Sequence, residues 1–275
     1  MWQPWRRKDF RALLLLPAAY IAMMGIMMVF EESLLFFPAR YPAGESWEPP
    51  GLGFEDAWFS AADGTKLHGW YVPHDEARAV ILFCHGNAGN ITHRAEILRE
   101  LHDRAGVAVL CFDYRGYGRS EGKPKEAGIY ADARAARAWL ANRTGVGERE
   151  IVVMGRSLGG AAAVELAAGD GAKGLVLEST FSSVPDVAAS IYPWLPVRLL
   201  VRNRFDAVGK ISRYHGPLLQ SHSEDDEIVP YSLGRKLFDA SNQPKEFIIL
   251  RGLGHNDPQT PVYYEKLVAF LDALR

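Results

Sequence analysis

Gly155-Arg156-Ser157-Leu158-Gly159 joins two segments of opposite character, the apolar run Ile151 to Met154 and the Ala-rich stretch Leu158 to Ala168. A turn that passes from strand to helix in so few residues brings the positions two before and two after its centre almost into contact. Only residues without a Cβ fit comfortably at both. Gly155 and Gly159 meet that demand, and Gly160-Ala161-Ala162-Ala163 lets the helix lie close against the sheet. The Ser157 hydroxyl is then raised at a helix N-terminus, where the dipole favours developing negative charge. In isolation the pentapeptide reads equally well as a small-residue turn with a capping serine; its flanks select the first reading.

The surrounding pattern agrees. From Ala79 onward short apolar runs alternate with helical stretches of ten or more residues, the pattern of β-α-β units around a parallel sheet. Strands are expected at Val80 to Cys84, Val107 to Phe112, Ile151 to Met154, Gly174 to Leu177, Leu218 to Ser221 and Phe247 to Leu250. Helices are expected at Thr92 to Asp103, Glu126 to Asn142, Leu158 to Ala168, Ser232 to Ala240 and Pro261 to Leu274. Phe54 to Ala61 and Lys66 to Val72 alternate like two antiparallel strands around the turn signal Asp63-Gly64.

A serine hydroxyl needs a base to take its proton and a third group to orient that base. His255 is the candidate base: it is the last histidine, in the loop Gly252 to Asp257 between the last strand and the last helix. His215 and His222 also follow Ser157, but one precedes a strand and the other ends one, which points to structural or solvated roles. The acid belongs on the loop Ser223 to Pro230, where Asp226 is chosen because Ile228-Val229 tucks the loop back and Pro230 opens the next helix. Asp225 is a near rival and Glu178 a second.

An acyl oxyanion also needs donors. The backbone N–H of Leu158 supplies one. The other is assigned to the N–H of Asn87 in His85-Gly86-Asn87-Ala88-Gly89-Asn90, with His85 a structural hydrogen-bonder. No G-K-[ST] follows, so this loop does not read as a phosphate cradle.

The segments His85 to Asn90, Asp113 to Ser120, Gly155 to Gly160, Asp226 to Pro230 and Gly254-His255-Asn256, together with Phe36-Phe37-Pro38, resemble the motif set of membrane-anchored α/β-hydrolase-domain proteins across residues 54–275. The resemblance implies an α/β-hydrolase fold: a mostly parallel eight-stranded sheet with helices on both faces. It also implies a serine hydrolase without metal or organic cofactor, and relatives include lipid esterases and protein depalmitoylases. Ser223 departs from the pattern, where a glycine is usual. The expected reaction is cleavage of a carboxylic ester or thioester through an acyl-enzyme on Ser157. An amidase or peptidase, an acyltransferase, and a non-catalytic membrane-bound scaffold remain alternatives.

Composition narrows the partners. A formal net charge of -2 and the lack of a basic block give no attraction to nucleic acid. Cys84 and Cys111 each sit in an apolar strand and read as buried thiols, although a disulfide stays open. Residues 12–30 carry no charge, and at about 1.5 Å of rise per residue would just cross a hydrocarbon core of about 30 Å. Arg6, Arg7, Lys8 and Arg11 precede this run while Glu31 and Glu32 follow it. Residues 1–33 therefore read as a cytoplasmic tip and a single membrane span, with the catalytic domain on the opposite side. Pro17, Gly25 and the short length keep an interfacial helix or a buried core helix open. Residues 34–53 read as a linker and 54–275 as the domain, with 180–216 a small cap-like insertion. Its apolar side chains are expected to form an acyl-binding wall, with Arg198, Arg202 and Arg204 near lipid headgroups; an ordinary amphipathic helix is equally compatible.

Overall fold

The computed structural model describes the backbone of residues 7–275 and the side chains from residue 15 onward. Helices α1 (Arg7–Val29) and α2 (Glu31–Leu35) lead into a two-residue strand, β1 (Phe37–Pro38). β2 (Glu55–Ser60) and β3 (Lys66–Val72) follow, then β4 (Val80–Cys84) and the short β5 (Ala88–Gly89). The alternating part comprises α3 (Ala95–Ala105), β6 (Ala108–Asp113), α4 (Glu126–Thr144), β7 (Val152–Arg156), α5 (Leu158–Asp170) and β8 (Leu175–Glu178). Three short helices come next, α6 (Val184–Ile191), α7 (Val197–Leu200) and α8 (Val208–Ile211). The chain ends with β9 (Leu218–Ser223), α9 (Tyr231–Asp239), β10 (Lys245–Leu250) and α10 (Pro261–Ala273).

Eight of these strands form one sheet in the order β10-β9-β8-β7-β4-β6-β3-β2. β2 and β3 pair antiparallel, β3 runs antiparallel to β6, and the rest are parallel, so the α/β-hydrolase sheet expected from the sequence is present. Successive side chains of a strand face opposite ways. Leu82, Leu110 and Val153 therefore join one core with Ile129 of α4, Leu166 of α5 and Leu237 of α9. Ile81, Val109 and Val152 join a second core with Leu98 of α3 and Leu267 of α10. A sheet buried on both faces requires strands that are apolar at every position, which is why β4 and β6 read as unbroken apolar runs. Cys84 and Cys111 fall into opposite cores as free, buried thiols, and burial pushes the Cys84 thiol up to about 12.

Residues 12–14, the start of the expected span, lie outside the described side chains. Among the described residues no helix is long and apolar enough to cross a membrane. The Tyr20 hydroxyl donates to the Trp194 carbonyl at 2.9 Å, which ties α1 to the stretch between α6 and α7.

Residues 34–53, expected as a linker, are hydrogen-bonded to the domain. β1 pairs in parallel with β5, Ala39 N and Gly89 O are 3.0 Å apart, and Asn90 Nδ2 donates to the carbonyls of Ala39 and Ala43. The insertion is short helices packed beside α1 and α2. Two of its four arginines are held in ion pairs, Arg198 with Asp186 and Arg202 with Glu31, while both side chains stay largely exposed.

Candidate active site

Sterics at the end of β7 explain the two glycines. A Cβ on Gly155 would collide with the Gly159 carbonyl, and a Cβ on Gly159 would collide with the Cys84 carbonyl. Between them Ser157 has φ 53° and ψ -121°, a strained backbone for an L-residue. Three hydrogen bonds hold it there: Ser157 N donates to Glu178 O at 2.9 Å, and Ser157 O accepts from Gly160 N at 2.9 Å and from Thr180 Oγ1 at 2.8 Å. The strain is thus stored by the ends of β7 and β8 and by the first turn of α5.

His255 reaches this serine from the loop after β10. Its Nε2 lies 3.1 Å from Ser157 Oγ, and its Nδ1 lies 2.8 Å from Asp226 Oδ2. The carboxylate at Nδ1 requires the proton there, which leaves Nε2 free to accept from the hydroxyl. Ser157, Asp226 and His255, separated by up to 98 residues in the chain, are therefore brought into one hydrogen-bonded line.

The rival acids are placed elsewhere. Asp225 Oδ2 accepts from Gly252 N at 2.6 Å, and Glu178 is buried at the end of β8, its carboxyl pushed up by burial against the opposing pull of Arg156. Asp226 itself accepts from the amides of Ile228 and Val229 at 3.0 and 2.7 Å. Burial alone would push its carboxyl up. Hydrogen bonds from His222, His255 and Val229 outweigh that and hold it well below the usual carboxylate range. Ser223, the departure from the pattern, donates no side chain to the site; its hydroxyl accepts from Asp225 N at 3.2 Å and steadies the same turn.

Two contributors, Arg156 and Glu227, were not anticipated, and His222, expected in a structural or solvated role, supports the acid. His222 is fully buried, and its Nε2–H is shared between the Val229 carbonyl at 3.0 Å and Asp226 Oδ2 at 3.3 Å. Arg156 donates to the carbonyls of His255 and Asp257 at 2.8 and 3.1 Å and so fixes the histidine loop from below. Glu227 Oε2 accepts from His255 N at 3.0 Å. His222 and Arg156 could be suspected from their adjacency to motif residues, but their targets lie on other segments and leave no local trace.

On the other side of Ser157, a Cβ on Gly86 would stand 3.5 Å from the serine Cβ, so the backbone of residues 86 and 87 runs beside the hydroxyl. The Asn87 side chain is clamped, Nδ2 donating to Leu35 O at 2.5 Å and Oδ1 accepting from Tyr117 Oη at 3.0 Å. Leu158 is the first residue of α5, and its amide has no acceptor within the helix. His85 is enclosed, with Nδ1 2.7 Å from Gly86 O, and burial drives its pKa down to about 3, which keeps it neutral. Among the described residues no group of three His, Cys, Asp or Glu side chains is arranged to hold a metal ion. Chemically, the arrangement can withdraw a proton from a serine hydroxyl and return it to a leaving group, beside two amides able to face an oxyanion.

Comparison with known proteins places this geometry in context. Residues 79–208 match a family model described as alpha/beta hydrolase fold. The chain is 39% identical over 259 residues to an uncharacterized protein of Mycobacterium tuberculosis, covering 92% of this chain and 91% of that one. It is 35% identical over 231 residues to the alpha/beta hydrolase domain-containing protein WAV2 of Arabidopsis thaliana, covering 76% and 75%. Among solved structures, an esterase of Pyrococcus furiosus superposes with a TM-score of 0.71 at 18% identity, covering 87% of this chain and 98% of that one. An acetyl xylan esterase from Paenibacillus superposes with a TM-score of 0.65 at 22% identity, covering 83% and 86%. These likenesses between structures carry the fold alone.

Proposed function

We propose, since the chain belongs to the α/β-hydrolase family, that it cleaves carboxylic esters or thioesters through an acyl-enzyme on Ser157. The observation that carries this reading is His255, poised between Ser157 Oγ at 3.1 Å and Asp226 at 2.8 Å. His255 Nε2 takes the hydroxyl proton as Oγ attacks the carbonyl carbon, and Asp226 stabilises the imidazolium that results. The amides of Leu158 and Asn87 stabilise the oxyanion. Collapse expels the alcohol or thiol, which receives the proton from His255. Water, deprotonated by the same nitrogen, then releases the carboxylic acid and regenerates the serine. Esterases among proteins of this fold support the ester class by analogy.

The test is labelling of full-length protein with a fluorophosphonate probe. Wild type is expected to be labelled and Ser157→Ala to be inert, with ester hydrolysis lost in parallel. Equal labelling of both would overturn the assignment.

Residues 12–30 are proposed to hold the enzyme at a membrane. In the arrangement suggested by the flanking charges, they span the bilayer once with the N-terminus cytoplasmic and the domain on the opposite side. The Tyr20 to Trp194 hydrogen bond favours a second arrangement, in which α1 lies in the interface plane beside α6 and α7. Retention in the membrane pellet after carbonate extraction supports the span; release supports the interfacial helix.

A further inference from the structure

The turn that follows β6, Asp113 to Ser120, contributes no group to the line of Ser157, His255 and Asp226, yet it meets the loop after β4 at both ends and in the middle. Tyr114 Oη donates to His85 O at 2.9 Å, Tyr117 Oη donates to Asn87 Oδ1 at 3.0 Å, and Asp113 Oδ1 accepts from Ile91 N at 2.9 Å. Tyr114 and Tyr117 are fully buried, their ring centroids 5.8 Å apart in an edge-to-face pair, and His85 packs against both. Gly116 and Gly118 supply the positive φ, 82° and 45°, that turns the segment back, and a Cβ on Gly118 would fall on the Asp113 carboxylate.

The middle contact fixes a direction as well as a distance. The Leu35 carbonyl can only accept, so the end of the Asn87 amide that faces it is the NH2 group, donating at 2.5 Å. Oδ1 therefore faces Tyr117, and the tyrosine hydroxyl, whose pKa burial pushes up, is the donor. A short side chain held at both ends of its amide leaves little room for its own backbone to turn, and that backbone carries the Asn87 N–H. The loop starts against the nucleophile: a Cβ on Gly86 would lie 3.5 Å from Ser157 Cβ, and one on Gly159 would collide with the His85 carbonyl.

We infer that Tyr117 is a positioning residue for the oxyanion: its hydroxyl, acting through the Asn87 side chain, aims the Asn87 N–H at the charge that develops on the substrate's carbonyl oxygen. The inference rests on the proposed serine hydrolase reading and adds to it the group that sets the second oxyanion donor. A preorganised donor acts on the charge formed in the transition state, so loss of the Tyr117 hydroxyl falls on kcat and leaves KM in place.

The experiment compares p-nitrophenyl acetate with its thionoacetate analogue, in which sulfur replaces the carbonyl oxygen and gains little from an N–H donor. Full-length wild type, Tyr117→Phe, Asn87→Ala and the double variant are measured, with thermal melts to verify folding. Wild type is expected to prefer the oxygen ester by about tenfold or more. Tyr117→Phe should lose about ten- to hundredfold in kcat on that ester with KM within about twofold, while the thionoester rate changes by less than about threefold. Asn87→Ala keeps the N–H and should show the same collapse of the preference. The double variant should be no worse than Asn87→Ala, because the hydroxyl acts only through that side chain. The inference is overturned if wild type hydrolyses both substrates alike, if folded Tyr117→Phe keeps its kcat or slows both substrates equally, or if the two substitutions add. Should Tyr117→Phe fail to fold, Asn87→Ala decides by the same substrate ratio. Failure of the underlying reading looks different: wild type hydrolyses neither substrate and the fluorophosphonate probe does not react.

Discussion

Ser157 and its partners stand at the ends of parallel strands, where the Asp226 carboxylate that orients the histidine accepts from two backbone amides and the backbone is confined by carbonyls. The face where α1 and α2 meet α6 and α7 is the opposite. Trp194 is 64% exposed and Leu199 is 86% exposed. The first region is over-determined, since a single methyl at Gly155 or Gly159 meets main chain. The second is held by a few long-range bonds, Tyr20 to Trp194 and Glu31 to Arg202 and Asn203. Chemistry that needs sub-ångström placement calls for a rigid part of this kind.

The sharpest way to break this division is to remove the base. His255→Ala is expected to lower kcat on a short ester by about 10⁶-fold with the fold intact, as removal of a base that acts as one unit with its serine does. A loss of less than tenfold would place the catalysis elsewhere. Asp226→Asn should cost about 10⁴-fold in kcat, because the amide favours the wrong tautomer of His255 while leaving the packing unchanged. If it costs no more than Leu199→Glu on the exposed face, measured with the same short ester, the contrast between the two regions fails.

Much of the rigid region was legible because its constraints are local. Gly155, Ser157 and Gly159 lie within five residues, and the strand before and helix after them follow from periodicity. The loop that bears the acid was legible for the same reason, and Ile228-Val229-Pro230 spoke for Asp226 over Asp225 and Glu178, although the final selection is not local. It depends on which carboxylate the turn from Ser223 aims at His255, a matter of side-chain direction. The adaptable region was hardly legible at all. Asn87 finds the Leu35 carbonyl 52 residues away, and Arg202 finds Glu31 at a separation of 171. Hydropathy marked residues 12–30 as apolar, yet could not show that Tyr20 binds the domain or that residues 34–53 are threaded beside β5.

The smallest expected effect tests how the two regions are joined. Glu31→Ala removes the acceptor for Arg202 and Asn203 and should lower stability by about 1.5–3 kcal/mol, the range for hydrogen bonds to a charged group. Its readouts are the thermal midpoint and the rate of limited proteolysis ahead of residue 31. Burial pushes the Glu31 carboxyl up, but hydrogen bonds from Asn203 and Arg202 outweigh it and hold the group below its ordinary value. A carboxylate whose folded pKa is depressed gives stability that is complete above its unfolded value of about 4.3 and disappears as pH falls through the folded one. The midpoints of wild type and Glu31→Ala should therefore be furthest apart at neutral pH and converge in acid. A gap that persists unchanged at pH 3 would mean that the side chain acts by packing alone. Because Leu35, four residues further on, holds Asn87, the same substitution should also lower kcat on short esters modestly, by about two- to tenfold, through a loosened oxyanion loop. An unchanged kcat alongside faster proteolysis would show that the N-terminal helices can loosen without disturbing the nucleophile's surroundings.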